Sequence, residues 1–155
     1  MTVTATVKEP TPLERQLGTV DEAMTRNAVL LAADMTAEMA LRRLDEKGVS
    51  GAPVVDHGRV VGVITRRDLL VPTLLDDVAY AQATGRLTRL AGLRVSDLMS
   101  SEPVTVPPDC SLAQAVRTMI RHGVNRLPVV DQAGRPLGVL TRDDVLGAVA
   151  RRVQP

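Results

Sequence analysis

Apolar residues at Leu112, Ala115, Val116, Met119 and Ile120 fall at i, i+3, i+4, i+7 and i+8, which predicts an amphipathic helix. Ser111 stands at its start with Gln114 three residues on, the spacing of a capping box, and Gly123 is placed to stop it. Ala37, Ala40, Leu41 and Leu44 mark a similar face earlier in the chain, closed by Gly48. Each helix is followed by two apolar runs with strand character: Ala52–Asp56 and Val60–Thr65, then Leu127–Asp131 and Leu137–Thr141. His57-Gly58 divides the first pair and Gln132-Ala133-Gly134 the second, which predicts two hairpins. A short apolar strand precedes each helix (Val29–Leu31; Val104–Val106), and a helical turn precedes that strand (Val20–Met24; Val95–Met99). A closing helix begins near Arg66 and again near Arg142.

The two halves of this pattern are copies. Shifted by ~75 positions, a self-similarity at fixed spacing that marks tandem units, Val20 meets Val95, Met24 meets Met99 and Gly48 meets Gly123. Pro53-Val54-Val55-Asp56 meets Pro128-Val129-Val130-Asp131. One residue inserted in the second hairpin turn then brings Gly62-Val63 onto Gly138-Val139, Thr65-Arg66 onto Thr141-Arg142 and Asp68 onto Asp144. The expected fold is mixed α+β, a tandem β-α-β-β-α repeat. A copy of ~50 residues is marginal alone, so the two are expected to pack as a pair. The expected organisation is a tail over 1–19, a first repeat over 20–70, a helical connection over 71–94 and a second repeat over 95–152. Leu13–Leu17 reads as a helical turn stopped by Gly18. In the connection, Pro72 interrupts early, Leu74, Leu75 and Val78 suggest an amphipathic helix, and Gly85 breaks it.

The stretches Gly62–Asp68 and Gly138–Asp144 share the form Gly, two apolar residues, Thr, two polar residues, Asp, at the corner between a strand and a helix. Thr and Asp at this spacing form a helix-capping pair. The same corner gathers a hydroxyl, a carboxylate and helix N-terminal N–H groups, which can hold an anion. Both readings stand, and they are compatible.

The doubled order of these motifs, with a Met-Thr or Met-Ser lead-in (Met24-Thr25, Met99-Ser100), resembles the CBS-domain pair, or Bateman module, from Val20 to about Arg152. The resemblance implies two pseudo-symmetric clefts between the repeats that bind adenosine-containing ligands: AMP, ADP, ATP, S-adenosylmethionine or NAD. It implies that Asp68 and Asp144 take the ribose hydroxyls and that Thr65 and Thr141 contact ribose or phosphate. The chemistry agrees, because a carboxylate only accepts and a ribose diol offers two adjacent donors. Arg66 and Arg142 begin the closing helices, where N–H groups favour phosphate. The resemblance also implies that Arg126, just before Leu127-Pro128, reaches ligand phosphates, which its counterpart Gly51 cannot do. Arg67 stands opposite Asp143, so the two sites are expected to be unequal. Val29, Ala52 and Ile64 in one cleft, and Val104, Leu127 and Leu140 in the other, are the expected apolar walls for adenine. The expected protein is a non-enzymatic regulatory sensor with no required cofactor, a homodimer that signals to an effector protein. The alternative is a scaffold with vestigial clefts.

Composition narrows the rivals. Net charge is +1, and the only aromatic residue is Tyr80, which argues against nucleic acid, where bases stack on rings. Cys110 is the single cysteine, without partners for a disulfide or a zinc site, and reads as a small buried residue. His57 and His122 are expected to be solvated. No phosphate-binding glycine loop, metalloprotease motif or nucleophile elbow is present. Met1–Pro12 is polar, and no apolar run approaches the ~20 residues of a membrane span, so the expectation is a soluble cytoplasmic protein.

Overall fold

The computed structural model describes residues 3–4, 9, 11–74 and 89–153. The amphipathic helix expected through Leu75 and Val78, with its break at Gly85, lies outside them. In chain order the elements are β1 (Val3–Thr4), α1 (Pro12–Leu17), α2 (Val20–Ala23), β2 (Leu31–Ala32), α3 (Ala37–Lys47), β3 (Gly51–Asp56), β4 (Arg59–Thr65) and α4 (Arg66–Leu74). After a 3-10 turn at Arg89–Gly92 come α5 (Val95–Leu98), β5 (Val104–Thr105), α6 (Leu112–His122), β6 (Arg126–Val130), β7 (Pro136–Thr141) and α7 (Arg142–Arg152). The doubled β-α-β-β-α order is therefore present. Two stretches of the expected tail carry regular structure: β1 pairs in parallel with β5, and α1 is capped by Thr11 and Glu14. Helix α4 continues through Pro72 to Leu74 rather than stopping before it.

Helix ends follow the sequence signals closely. Thr36 and Ser111 accept from the N–H of Met39 (3.2 Å) and Gln114 (3.1 Å), and Gly48 and Gly123 end their helices at φ 64° and 62°. Only the Ser111 half of the expected capping box forms, because the Gln114 side-chain oxygen accepts from Arg117 instead (3.4 Å). The face of α6 is also rolled from the expected one. Leu112, Ala115, Thr118 and Met119 are buried, whereas Ile120 is 76% exposed. At ~100° per residue Ile120 lies roughly 125° from the centre of that face. Thr118 is accommodated because its hydroxyl donates to Gln114 O at 2.9 Å.

Strands β2, β3 and β4 form one sheet in that order, with β2 parallel to β3 (Leu31↔Val54). Strands β6 and β7 are antiparallel, with Arg126↔Thr141 and Leu127↔Leu140 in register, and Val106 bridges Val129 in parallel just beyond β5. In the first hairpin turn His57 and Gly58 both have positive φ, 49° and 75°, as a two-residue turn matching strand twist requires. In the second, Asp131 accepts from the N–H groups of Ala133 and Arg135 (2.9 Å each), and Gly134 takes φ 81°.

The chain forms two compact units, and they do not coincide with the sequence copies. One contains residues 1–28, 58–60 and 102–155; the other contains 29–57 and 61–101. Each unit thus holds the lead-in turn of one copy and the helices and strands of the other. In the first unit, Val20 N–H donates to Cys110 O (2.9 Å), Leu112 N–H to Gly18 O (2.9 Å), and Thr25 and Val139 exchange two backbone bonds (2.9 Å each). In the second, Val95 N–H donates to Met35 O (2.8 Å), Ala37 N–H to Leu93 O (2.8 Å), and Ser100 and Val63 exchange two (2.9 and 3.1 Å). These are the same contacts shifted by one period. Each unit has its own apolar core: Val20, Val106, Leu112, Leu127 and Leu140 in one, Leu31, Leu44, Val54, Ile64 and Val95 in the other.

Candidate functional site

Both Gly-h-h-Thr-x-x-Asp stretches fold as a strand that ends on Thr and turns into a helix (β4 to α4, β7 to α7). The glycine that opens each is not there for its dihedral angles. A Cβ on Gly62 would lie 2.7 Å from Ser100 O, and one on Gly138 would lie 2.5 Å from Thr25 O. The glycine lets the backbone of the Met-Ser or Met-Thr turn run against the strand. That turn is thereby brought to the site in each unit, which links two motifs 114 residues apart in the second case (Met24 to Gly138).

The Thr and Asp of each motif cap the helix reciprocally. Asp144 Oδ2 accepts from Thr141 N–H (2.9 Å) and Thr141 Oγ1 accepts from Asp144 N–H (3.2 Å). Asp68 Oδ2 accepts from Thr65 N–H (2.8 Å) and from the Thr65 hydroxyl (3.1 Å), and Asp68 N–H points to Thr65 Oγ1 (3.4 Å). The capping reading is therefore realised at both corners. It does not saturate the carboxylates, since each offers about four lone-pair directions. Asp68 Oδ1 accepts no hydrogen bond from the described residues. At Asp144 the corresponding position is taken: the Thr25 hydroxyl lies 3.1 Å from Oδ1 and 3.3 Å from Oδ2. Thr25 thus joins the candidate site at Asp144, a contact that the motifs alone did not indicate. Its signal was present in the lead-in, where a hydroxyl residue follows Met in both copies.

The helix N-termini offer less to an anion than expected. Arg66 N–H donates to Ser50 O and Arg142 N–H to Asn125 O, both at 2.9 Å, so the preceding loops satisfy these two groups. The Arg66 side chain is turned to the C-terminal end of α3, donating to Val49 O (3.0 Å) and Leu44 O (3.2 Å) beside Asp45. Arg142, Arg67 and Asp143 are exposed. Arg126 is half-buried and sits directly across the ladder from Thr141. Burial pushes its guanidinium below the usual arginine value. Its counterpart Gly51 is buried.

Of the expected adenine walls, Ala52, Ile64, Leu127 and Leu140 are interior residues of the two cores, 0–1% exposed. Val29 and Val104 are partly buried and pack against those cores. Ala52, Ile64, Leu127 and Leu140 pack with the neighbouring side chains of the two cores. A cavity of about 420 Å³ lies elsewhere, at the turn end of the β6–β7 hairpin, lined by Arg59, Thr105, Asp131 and Gln132 among others. No residue of the two motifs lines it. Cys110 is fully buried, and burial pushes its thiol up to about 11, consistent with an inert core residue. His57 and His122 are exposed. Among the described residues no group of three or more His, Cys, Asp and Glu could hold a metal, and no helix is long and apolar enough to cross a membrane.

Comparison with known proteins places this geometry. The profile of the CBS domain matches residues 20–71 and 95–151. A CBS domain-containing protein of Dictyostelium discoideum is 32% identical over 139 residues, which cover 88% of this chain and 94% of that one. An inosine-5'-monophosphate dehydrogenase of Korarchaeum cryptofilum is 29% identical over 139 residues, 90% of this chain but 26% of that enzyme. Among solved structures, CBSX2 of Arabidopsis thaliana in complex with AMP superposes with a TM-score of 0.72 at 31% identity, covering 88% of this chain and 98% of that one.

Proposed function

Because the chain belongs to the CBS-domain family and carries the domain twice, we propose that it is a regulatory module that senses an adenosine-containing ligand through Asp68 and Asp144. The observation that carries this reading is the pair of half-buried carboxylates, each fixed by a reciprocal cap with acceptor directions beyond those the cap uses. A rigid acceptor-only group suits the two adjacent donors of a ribose diol. The AMP complex of CBSX2, a relative 32% identical over 149 residues, favours AMP as the first ligand to try, with ADP, ATP, S-adenosylmethionine and NAD as the other candidates. Arg126, beside Thr141, is the basic residue for a phosphate. The role is regulatory rather than catalytic. Ligand shifts the population of conformations, and an effector protein reads the shift, with the chain acting as a homodimer.

A thermal-shift series with these five ligands tests the reading. A ligand at a hundred times its Kd stabilises by about 2.7 kcal/mol, several degrees for a chain of this size. The shift is expected to shrink in Asp68→Ala or Asp144→Ala and to vanish in the double variant. A shift that survives in all three overturns the carboxylate assignment. The rival reading, an interaction scaffold without ligand, draws on the satisfied N–H groups of Arg66 and Arg142. It predicts no shift with any of the five.

A further inference from the structure

Resting on the proposed ribose-binding role of the two carboxylates, we propose that Thr25 is an internal competitor for ligand, so that the Asp144 site is self-occupied while the Asp68 site is open. The two sites share backbone geometry but not hydroxyl geometry. Thr25 and Ser100 occupy matching places, each pinned by two backbone hydrogen bonds to the strand that leads into its motif. The Thr25 hydroxyl straddles both oxygens of Asp144, at 3.1 and 3.3 Å, the position from which a vicinal diol would be gripped. Ser100 makes no hydrogen bond to Asp68, and Oδ1 of Asp68 accepts none from the described residues.

The difference follows from one methyl group. Threonine is β-branched and holds χ1 in few rotamers, whereas serine turns freely. At a position whose backbone is fixed on both sides, the threonine keeps its hydroxyl over the carboxylate. Gly138 fixes the approach further, since Thr25 O would lie only 2.5 Å from a Cβ there. A ribose arriving at Asp144 must displace the Thr25 hydroxyl, and a ribose arriving at Asp68 meets no such hydroxyl from Ser100. The Asp68 site then fills first, and the Asp144 site responds at higher ligand concentration. One chain thereby reports two concentration ranges of the same nucleotide.

The test is calorimetric titration with AMP on variants that isolate each site. In an Asp68→Ala background, Thr25→Val is expected to tighten AMP binding about tenfold, the return of one hydrogen bond to a charged group. In an Asp144→Ala background, the same Thr25→Val change is expected to leave affinity unchanged. There the reciprocal Ser100→Thr is expected to weaken AMP binding by a similar factor. Circular dichroism confirms that each variant folds. Unchanged affinity for Thr25→Val with Asp68 absent, while the Asp68 site still binds AMP, overturns the competitor proposal and leaves the ribose assignment standing. Absence of AMP binding in the wild type and every variant overturns the ribose assignment and the proposal with it.

Discussion

Replacing Gly138 by alanine should be among the most damaging single-methyl changes in the chain, although the residue lies in an unexceptional strand. The added Cβ would meet Thr25 O at 2.5 Å and Arg26 Cα at 3.3 Å. Carbon-to-oxygen contacts in proteins begin at ~3.3 Å, so strand and turn must part by roughly 0.8 Å. The obstructing atom cannot rotate away, because it is a backbone oxygen already accepting from Val139 N–H while Thr25 N–H donates to Val139 O, both at 2.9 Å. Straining or losing two such bonds costs about 0.5–1.5 kcal/mol each, and overpacking alone costs about 1–3 kcal/mol. The two estimates overlap, so ~3 kcal/mol is the expected loss, or about 6–12 °C in Tm for a chain of this length. Gly62→Ala, 2.7 Å from Ser100 O, should behave alike. Gly147→Ala is the control: its Cβ meets only Arg151 Nη1 at 3.5 Å within α7, so helix propensity should raise stability by up to ~1 kcal/mol. Urea unfolding followed by circular dichroism measures all three. A loss below ~0.5 kcal/mol for both Gly62→Ala and Gly138→Ala would refute the claim that these glycines exist to admit the lead-in turns.

Acid sensitivity should report on Glu14. Its carboxylate accepts from Thr11 N–H at 2.6 Å and pairs with Arg117, which holds its pKa down to about 2 from an ordinary 4.5. A depressed carboxylate stabilises the fold fully above about pH 4.5 and loses that contribution as pH falls toward about 2. The difference in urea midpoint between wild type and Glu14→Gln should therefore be largest near neutral pH and close below about pH 2; a constant difference would contradict the assignment. His57→Asn should stabilise by up to ~1 kcal/mol in thermal unfolding, because His57 holds φ 49° in a turn that favours Asn-Gly. Ile120→Lys should change stability by no more than about 0.5 kcal/mol while Met119→Ala costs about 2–4 kcal/mol. Equal effects at 119 and 120 would show that the face of α6 is the one its apolar spacing first suggested.

The layout of the chain was readable because its punctuation is local. Ser111, Gly48 and Gly123 act on the turn beside them, Ser111 starting its helix and the two glycines ending theirs as their chemistry requires. The phase of α6 was harder. Apolar spacing admits Ile120 to the face, but what packs against the helix fixes its roll, and a threonine with a locally satisfied hydroxyl can be buried in place of an isoleucine. The exchange of lead-in turns was hidden, since periodicity says where a segment lies along the chain and not which copy it packs on. Its trace is Gly62 and Gly138, glycines at places where no turn calls for one. At the motifs, Thr-x-x-Asp was legible as both cap and site. Satisfaction of the Arg66 and Arg142 N–H groups by Ser50 and Asn125 was not, because it depends on where the preceding loop runs. The apolar character of Ala52, Ile64, Leu127 and Leu140 was legible, but it does not distinguish a ligand wall from the two cores in which they lie.

The central claim, that Asp68 and Asp144 grip a ribose diol, is tested most directly by comparing the affinities of AMP and 2'-deoxy-AMP by calorimetry. The account predicts at least a tenfold preference for AMP in the wild type, the loss of one hydrogen bond to a charged acceptor. It also predicts that no preference remains in the Asp68→Ala, Asp144→Ala double variant. Equal affinity for the two nucleotides in the wild type would contradict it.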